Sequence, residues 1–375
     1  MLRQLILVLA LAASSLWPAT ASAASEVFTV RNVGVDATAA GSAEAKEIAI
    51  AEGQRVAFDR LMRRLTRKQD WGFAGETTAD QVAALVLGIE VAEERTSATH
   101  YVGKITYSFR PGAVRQFLKQ SNVSFSEARA KPALLLAVLD TSEGLRLWDD
   151  PNPWRTAWAR RDLGDELVPI LVPLNDLEDS GLIGAAKAVA ATWADVGAIA
   201  GKYGLDRVLV ARATARGGNL DVRVTQLSAT QARTSVFNFS GGGDLATSLD
   251  QAVDSALDRL YEEWKSTTII AYGQGENSIV ASIWFSNLND WLTIQRRLAE
   301  TPAVANVEIL GLSPQGAQVR LTYAGTPEQL RLTLEQMSLL LSDRGGFFEI
   351  AMAERGSASA APANGIAPPT LPNTN

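Results

Sequence analysis

The sequence predicts a multidomain α+β protein, because helix-period and strand-period apolar patterns follow one another in three different orders along the chain. The first segment reads strand, helix, helix, strand, strand. The middle segment combines near-continuous apolar runs with helices, which is typical of a mixed α/β sheet. The last segment has the βαββαβ order of a ferredoxin-like domain. With 47% hydrophobic residues among 375, the chain has enough apolar side chains for several cores.

The first residues have the pattern of an export signal. One positive charge, Arg3, precedes an apolar run from Leu5 to Trp17, and the small residues before position 24 match a cleavage site. The run is too short to remain as a membrane anchor. We therefore expect a signal peptide at 1–23, cleavage after Ala23, and a periplasmic mature chain without a transmembrane span.

The N-terminal domain is predicted at 24–121. The run "VFTVRNVGVDAT" alternates as a strand, and a long amphipathic helix begins at Ser42. A shorter helix covers 79–87. The alternating runs "GIEVAEER" and "HYVGKITYSF" flank the turn "TSAT" and indicate a hairpin, which a helix at 112–120 follows.

The middle domain is predicted at 131–265. The runs "ALLLAVLD" and "ELVPILVPLND" are apolar enough to be strands buried on both faces, with the helix "PWRTAWARR" between them. One long helix then extends to Gly204, whose lack of a side chain suits a helix end. Three strands and a final helix from about Leu245 to Trp264 complete a mixed sheet.

The C-terminal domain is predicted at 266–352. The run "SIVASIWFS" is a strand, and the next helix carries Trp291, Ile294 and Leu298 on one face before Pro302 ends it. Two strands, a helix opened by Thr326 and extending to Leu341, and the strand "FFEIAM" follow. The run "TTIIAY" is expected as an extra edge strand. The tail 353–375, rich in Ala, Pro, Ser and Asn, is predicted to be disordered.

Most of the mature chain resembles a domain-of-unknown-function family of exported proteobacterial proteins. The resemblance is carried by "AIAEGQRVAFDRLMRRLT" and the hairpin after it, and by "LVPLNDLED" and "GLDRVLVARA" further on. It implies export and supplies no catalytic residues. In element order alone, the first segment is similar to the repeat domains of outer-membrane assembly proteins, and the second to a domain of periplasmic translocation proteins. Such likenesses of order do not determine function.

The composition excludes several kinds of catalytic and metal-binding site. The chain has no cysteine, so disulfides, thiolate metal sites and thiol nucleophiles are excluded. Its one histidine, His100, has no G-x-S-x-G serine to act with and reads as an exposed strand residue. The glycine loops "GGGD" and "GQGENS" complete no phosphate-binding pattern and read as turns. The formal charge of −6 argues against nucleic acid. We expect no catalytic residue and no cofactor, and the balance leans away from an enzyme.

An acidic cluster in the middle domain is the candidate for metal binding. Asp140 ends the first buried strand, Asp149 and Asp150 lie in the next loop, and Asp176 follows the second apolar run. Ligands in open α/β sheets tend to bind beyond the carboxyl ends of strands, where such acids would hold Mg²⁺ or Ca²⁺. The alternative is that they are helix caps and turn formers.

Three tryptophans surround the same loop and are candidates for partner binding: Trp148, Trp154 and Trp158. Exposed aromatic side chains often anchor protein partners. The alternative is that they fasten the loop to the sheet as core residues.

These observations favour an exported binding or scaffolding module of the cell envelope. Its partners are expected to be envelope proteins or other envelope components, bound by edge-strand addition or on the tryptophan loop. The alternative is a metal-assisted hydrolase or small-ligand-binding protein that uses the acidic cluster.

Overall fold

The computed structural model describes residues 26–217, 219–240, 244–270 and 277–353, and it confirms the α+β class with three sheets. The chain divides into two compact units between residues 273 and 274. The expected signal peptide, most of the expected tail, the glycines of "GGGD" and most of "GQGENS" lie outside the described residues.

The first sheet of the first unit is a three-stranded antiparallel sheet. Its elements follow the predicted order, with one additional short helix, Gly72–Gly75, between the two predicted helices. Its elements are β1 (Thr29–Thr38), α1 (Ser42–Leu65), α2 (Gly72–Gly75), α3 (Ala79–Leu85), β2 (Val86–Thr96), β3 (His100–Phe109) and α4 (Pro111–Gln120). The strands lie in the order β1-β3-β2.

Helix α1 covers one face of this sheet. Phe58, Leu61 and Met62 of α1 are fully buried in one core cluster with Tyr101 and Ile105 of β3. Strand β3 alternates buried and more exposed positions along its whole length, as a half-covered strand must. The outward positions of β3 are His100, Val102, Lys104, Thr106 and Ser108, as the sequence predicts.

The second sheet of the first unit is mixed. Its elements are β4 (Ala133–Thr141), β5 (Gly144–Arg146), α5 (Pro153–Ala159), β6 (Ile170–Leu171), α6 (Leu177–Leu182), α7 (Ala185–Ala190), α8 (Trp193–Lys202), β7 (Arg207–Arg216), β8 (Asn219–Ser228), β9 (Ala232–Ser240) and α9 (Leu245–Thr268). The order is β5-β4-β7-β8-β9, with β6 beside β4. Strands β4 and β7 are parallel, and β7 to β9 form the predicted antiparallel meander. Apolar clusters cover both faces of β4, which explains its continuous apolar run.

Two predicted elements of this region are shorter than expected. Only Ile170 and Leu171 of "ELVPILVPLND" pair as a strand, because Pro169 and Pro173 flank them and proline cannot donate to a ladder. The long helix is three helices, α6, α7 and α8. Ala191 adopts a left-handed φ of 51° after α7, and the Thr192 side chain then accepts from the Asp195 amide to start α8.

The second unit begins as predicted. Its elements are β10 (Asn277–Trp284), α10 (Leu288–Glu300), β11 (Val304–Ser313), β12 (Gly316–Tyr323), α11 (Pro327–Gln336), β13 (Leu339–Asp343) and β14 (Phe348–Met352). The strand order is β11-β12-β10-β14-β13. Asn287 caps α10, and Thr326 forms a capping box at the start of α11.

The last part of this unit differs from the ferredoxin-like order. Helix α11 ends at Gln336, and Ser338 adopts a φ of 55° that turns the chain into the additional strand β13. Leu339 and Leu341 are buried at alternate positions, so a strand period places them better than a continued helix. With one more strand before it, β14 runs parallel to β10.

The expected edge strand "TTIIAY" is also corrected. Thr267 and Thr268 complete α9, and Ile270 bridges Phe125 in the first unit; the last two residues of the run lie outside the described residues.

Candidate functional site

Asp140, at the end of β4, is a buried carboxylate that two arginines neutralise. Arg216 Nη2 donates to Asp140 Oδ1 at 2.7 Å, and Arg212 pairs with the other oxygen. Burial by itself raises the pKa of Asp140, but hydrogen bonds from the two guanidinium groups outweigh it, and the net pKa is lowered. The negative charge that a cation would need is therefore already balanced by the protein.

Asp176 performs the helix-capping role that the sequence left open. Its side chain accepts from the Asp179 amide at 2.8 Å at the start of α6, and Asp179 reciprocates in a capping box. Lys202 Nζ lies 2.7 Å from an oxygen of Asp176 and 2.8 Å from one of the buried Asp179. The hydrogen bond from Lys202 is the main reason that the pKa of Asp176 is lowered. An ammonium group thus occupies the position between these carboxylates.

The two acidic residues of the loop, Asp149 and Asp150, do not form a shared site either. Asp149 is exposed, and Asp150 pairs with Arg155 at 2.6 Å. Across the described ranges, no group of three or more acidic or histidine side chains is arranged to hold a metal. Asp176 is a helix cap, Asp149 and Asp150 lie in the loop, and Asp140 is a buried ion-paired strand residue, so the four carboxylates Asp140, Asp149, Asp150 and Asp176 have separate surroundings.

The tryptophans are core residues rather than an exposed anchor. Trp154 and Trp158 are fully buried and meet edge to face, with ring centroids 5.6 Å apart. Trp154 Nε1 donates to the Ala211 carbonyl at 2.8 Å, and the half-buried Trp148 donates to the Ile183 carbonyl at 2.7 Å. A fully buried ring offers no surface to a partner, so Trp154 and Trp158 fit the alternative that they fasten the loop to the sheet as core residues.

The feature best suited to binding is one of the two edges of the first sheet, the edge formed by β2, which is called the β2 edge; β1 forms the other. Strand β2 pairs with β3 on one side and with no other described strand. All of its residues after Val86 are exposed. Leu87, Ile89 and Val91 are 65%, 45% and 37% exposed. A long edge strand with apolar side chains is a template for pairing with another chain.

The register explains why these side chains are uncovered. Ile89 lies opposite Tyr107 and Val91 opposite Ile105, so both are on the face that α1 covers. Their partners on β3 are fully buried, whereas Ile89 and Val91 are not. The helical layer therefore ends at β3 and leaves the apolar border of the sheet open.

Polar contacts hold the far end of β2 in place. The Glu94 carboxylate accepts from Lys46 Nζ at 2.7 Å and from the Tyr101 hydroxyl at 3.0 Å. These hydrogen bonds, that of Lys46 first, lower the pKa of Glu94. Glu94 thereby links β2 to α1. Register shifts near Gly88 and Ala92 break the regularity of the edge, as natural edges often do.

Sequence reasoning anticipated an exposed edge but did not identify which strand supplies it. The alternation of Leu87, Ile89 and Val91 with polar residues predicts one covered face. The sequence does not show how far the helical layer extends across the sheet, because that depends on where α1 crosses it.

Comparisons with known proteins show limited likeness. No family model matches the chain, and no curated protein matches it. Among solved structures, the lipoprotein GNA1162 from Neisseria meningitidis is 14% identical, with a TM-score of 0.23, covering 35% of this chain and 96% of that one. The LpoB C-terminal domain from Salmonella enterica is 13% identical, with a TM-score of 0.20, covering 34% and 93%. These TM-scores are too low to establish a shared fold. Among the described helices, none combines the length and apolarity needed to cross a membrane.

Proposed function

We propose that the protein is an exported binding module of the cell envelope, and that it binds a partner protein by adding an extended segment of that partner to the β2 edge. The supporting observation is the combination of unpaired backbone and exposed apolar side chains along β2. Export is supported by the signal-like start of the chain, in which Arg3 precedes an apolar run and small residues.

Strand addition suits this edge for a physical reason. Backbone N–H and C=O groups at an edge have only water as a partner, and a second extended backbone satisfies them while covering the apolar border. Alternate side chains of the added strand would contact Ile89 and Val91. Glu93 pairs with Lys104 and Glu94 with Lys46, so the charge of the edge is largely balanced and its apolar side chains are the main recognition feature.

Site-specific crosslinking in cells tests the proposal. A photoreactive amino acid at Leu87 should capture one identifiable envelope protein, whereas the same group at Glu47 on the outer side of α1 should not. Val91→Glu should abolish this capture, because it places a charge where the partner covers an apolar border. On rebinding the purified partner, hydrogen exchange should slow at the β2 amides.

A second crosslinking position tests whether the partner binds the β2 edge or a different strand edge. Strand β11 also borders its sheet and exposes Ile309 and Leu312. Capture from Ile309 with none from Leu87 would move the binding function to β11 and contradict the assignment to β2. Unchanged exchange at β2 in the presence of the captured protein would contradict it as well.

A further inference from the structure

A second candidate for ligand binding, separate from the β2 edge, is a groove within the first unit, here called the arginine groove. It consists of two adjoining pockets that share Arg60, Arg64 and Glu166, with volumes of about 710 and about 200 Å³. Helix α1 supplies one side, and the segment after α5 together with α9 supplies the other. Pockets of this combined size are typical of small-molecule sites.

The groove is basic, although the protein as a whole is acidic. Eight arginine and lysine side chains line the two pockets, against five acidic ones, while the whole chain has a formal charge of −6. Arg31 pairs with Asp165, Arg160 and Arg161 pair with Asp250, and Lys265 pairs with Glu262, while Lys68 lies 3.5 Å from Asp258. The uncompensated positive charge therefore lies on the α1 side.

Arg60 and Arg63 carry that charge. Arg60 is exposed, lines both pockets and has no ion pair or hydrogen bond within the described ranges. The Arg63 guanidinium lies 4.8 Å from the ring centre of Trp71 and has no acidic partner there. Like charges one turn apart on a helix disfavour the helix slightly, so an external anion would stabilise this arrangement.

Glu166, the carboxylate that lines both pockets, compensates the neighbouring Arg64 poorly. Arg64 Nε lies 3.7 Å from Glu166 Oε2, beyond hydrogen-bond distance, and this buried nitrogen has no hydrogen-bond partner. Arg64 instead donates through Nη1 to the carbonyls of Val27 and Thr29. Burial raises the pKa of Glu166, and the charges of Arg64 and Lys265 only partly oppose that shift.

The smaller pocket adds a neutral donor and an aromatic wall. Tyr261 lines it, and its hydroxyl has no hydrogen-bond partner among the described residues. Burial raises the pKa of Tyr261 well above its ordinary value, so the hydroxyl keeps its proton and is able to donate. Trp71 provides a flat surface beside Arg63.

From this geometry we infer that the arginine groove binds a small ligand that carries phosphate groups, held by Arg60 and Arg63 and by the Tyr261 hydroxyl. Guanidinium groups bind phosphate through paired hydrogen bonds, which suits two arginines on one helix face. The groove is larger than one phosphate, so the ligand has a second charged or polar part. A soluble phosphate ester and a lipid headgroup share this chemistry.

Calorimetric titration of the full chain with pyrophosphate, at low and at physiological salt, tests the inference. Arg60→Gln with Arg63→Gln should weaken binding at least tenfold and reduce its salt dependence. Tyr261→Phe should weaken binding about fivefold, the usual effect of one lost hydrogen bond. Arg223→Gln, an exposed arginine outside the groove, should leave the affinity unchanged.

The comparison of ligands decides the source of the phosphate. Binding of glycerol 3-phosphate, with no binding to phosphatidylglycerol vesicles, supports a soluble ligand; recruitment to vesicles that requires Arg60 and Arg63 supports a headgroup. Absence of pyrophosphate binding at low salt, or equal affinity in the groove variants and Arg223→Gln, overturns the inference. Loss of capture at the β2 edge would leave these titrations unaffected, so the two proposals fail separately.

Discussion

Asp140 has the position expected of a ligand-binding carboxylate, but its contacts give it a structural role. It stands at the carboxyl end of a buried strand, where ligands often bind. Arg212 and Arg216 extend from the neighbouring parallel strand β7 and pair with it. A buried carboxylate with two guanidinium partners is stabilised in its charged form, which lowers its pKa.

The pH dependence of stability follows from that direction. Because the folded pKa is below the unfolded value, the stabilisation is present above the ordinary carboxyl pKa of 3.8 and is lost as the pH falls through the folded pKa. Asp140→Asn should lower the free energy of unfolding by about 2 kcal/mol at pH 7. The difference from wild type should shrink as the pH falls below 3.8.

Urea unfolding of both proteins at each pH measures the difference in the free energy of unfolding. Hydrogen exchange of the β4 amides then shows whether the loss is local to that strand. Asp149→Asn is the matched control, because Asp149 is exposed, and its effect should stay within about 0.5 kcal/mol. A difference between Asp140→Asn and wild type that is the same at pH 7 and pH 3 would rule out the ionic role.

At the scale of the element, α1 is positioned by a close approach to the sheet. Gly53 lies where α1 crosses β1 and β3, and a Cβ there would overlap the Tyr107 hydroxyl and a methyl group of Val35. The Tyr107 hydroxyl in turn donates to the Ile50 carbonyl at 2.8 Å. A larger residue would move α1 away from the sheet. The position of α1 also determines how much of β2 remains uncovered.

Two helical glycines should therefore respond to the same substitution with opposite signs. Gly53→Ala should destabilise the first unit by about 1–3 kcal/mol, because overlap outweighs the better helix propensity of alanine. Gly201→Ala in α8 should stabilise it by up to about 1 kcal/mol, because nothing lies within 4 Å of the added methyl group. Chemical denaturation of both variants checks the signs, and stabilisation by Gly53→Ala would show that the helix is free to shift.

At the scale of the whole molecule, the predicted N-terminal and middle domains lie within one compact unit. Lys265 of α9 is buried and donates to the carbonyls of Thr66 at 2.7 Å and Arg63 at 3.0 Å, at the end of α1. Ser126 and Thr268 meet at 2.7 Å nearby. A cation at a helix C-terminus is favourable and also satisfies carbonyls that the helix leaves unpaired.

Removing that ammonium should affect both sheets of the first unit. Lys265→Met keeps the apolar length but removes the ammonium donor from the Arg63 and Thr66 carbonyls, and leaves Thr66 only the longer hydrogen bond from Trp71 Nε1 at 3.3 Å. We expect a loss of about 2 kcal/mol. Hydrogen exchange should accelerate together at β3 and β7 amides. Lys187→Met, at an exposed position on α7, should change stability by less than about 0.5 kcal/mol. Acceleration in one sheet alone would instead support the predicted boundary near residue 121.

Most of the fold was predictable because it depends on local periodicity and capping. The alternation of β3, the apolar face of α10 and the buried run of β4 were each predicted correctly from neighbouring residues. The predictions that failed depend on competition between local and distant partners. Leu339 to Leu341 fits a helix by composition, yet pairing with β14 makes it a strand.

The candidate site was less predictable than the fold. The acidic residues near the ends of β4 and β6 matched the pattern of a ligand site, but sequence does not show that Arg212, Arg216 and Lys202 neutralise two of them. The arginines of α1 read as the polar side of an amphipathic helix. Their place in a groove depends on segments around residues 166 and 261, which are far away in the chain.

By itself, the sequence determined the α+β class, the order of most elements, the absence of thiol chemistry and the expectation of export, because each of these follows from composition or from patterns within a few turns of chain. Only the tertiary structure decided which carboxylates are neutralised, which tryptophans are covered, which strand edge stays open and where basic side chains line a groove. Those features depend on burial and charge pairing between distant segments, and packing alone sets which partners meet.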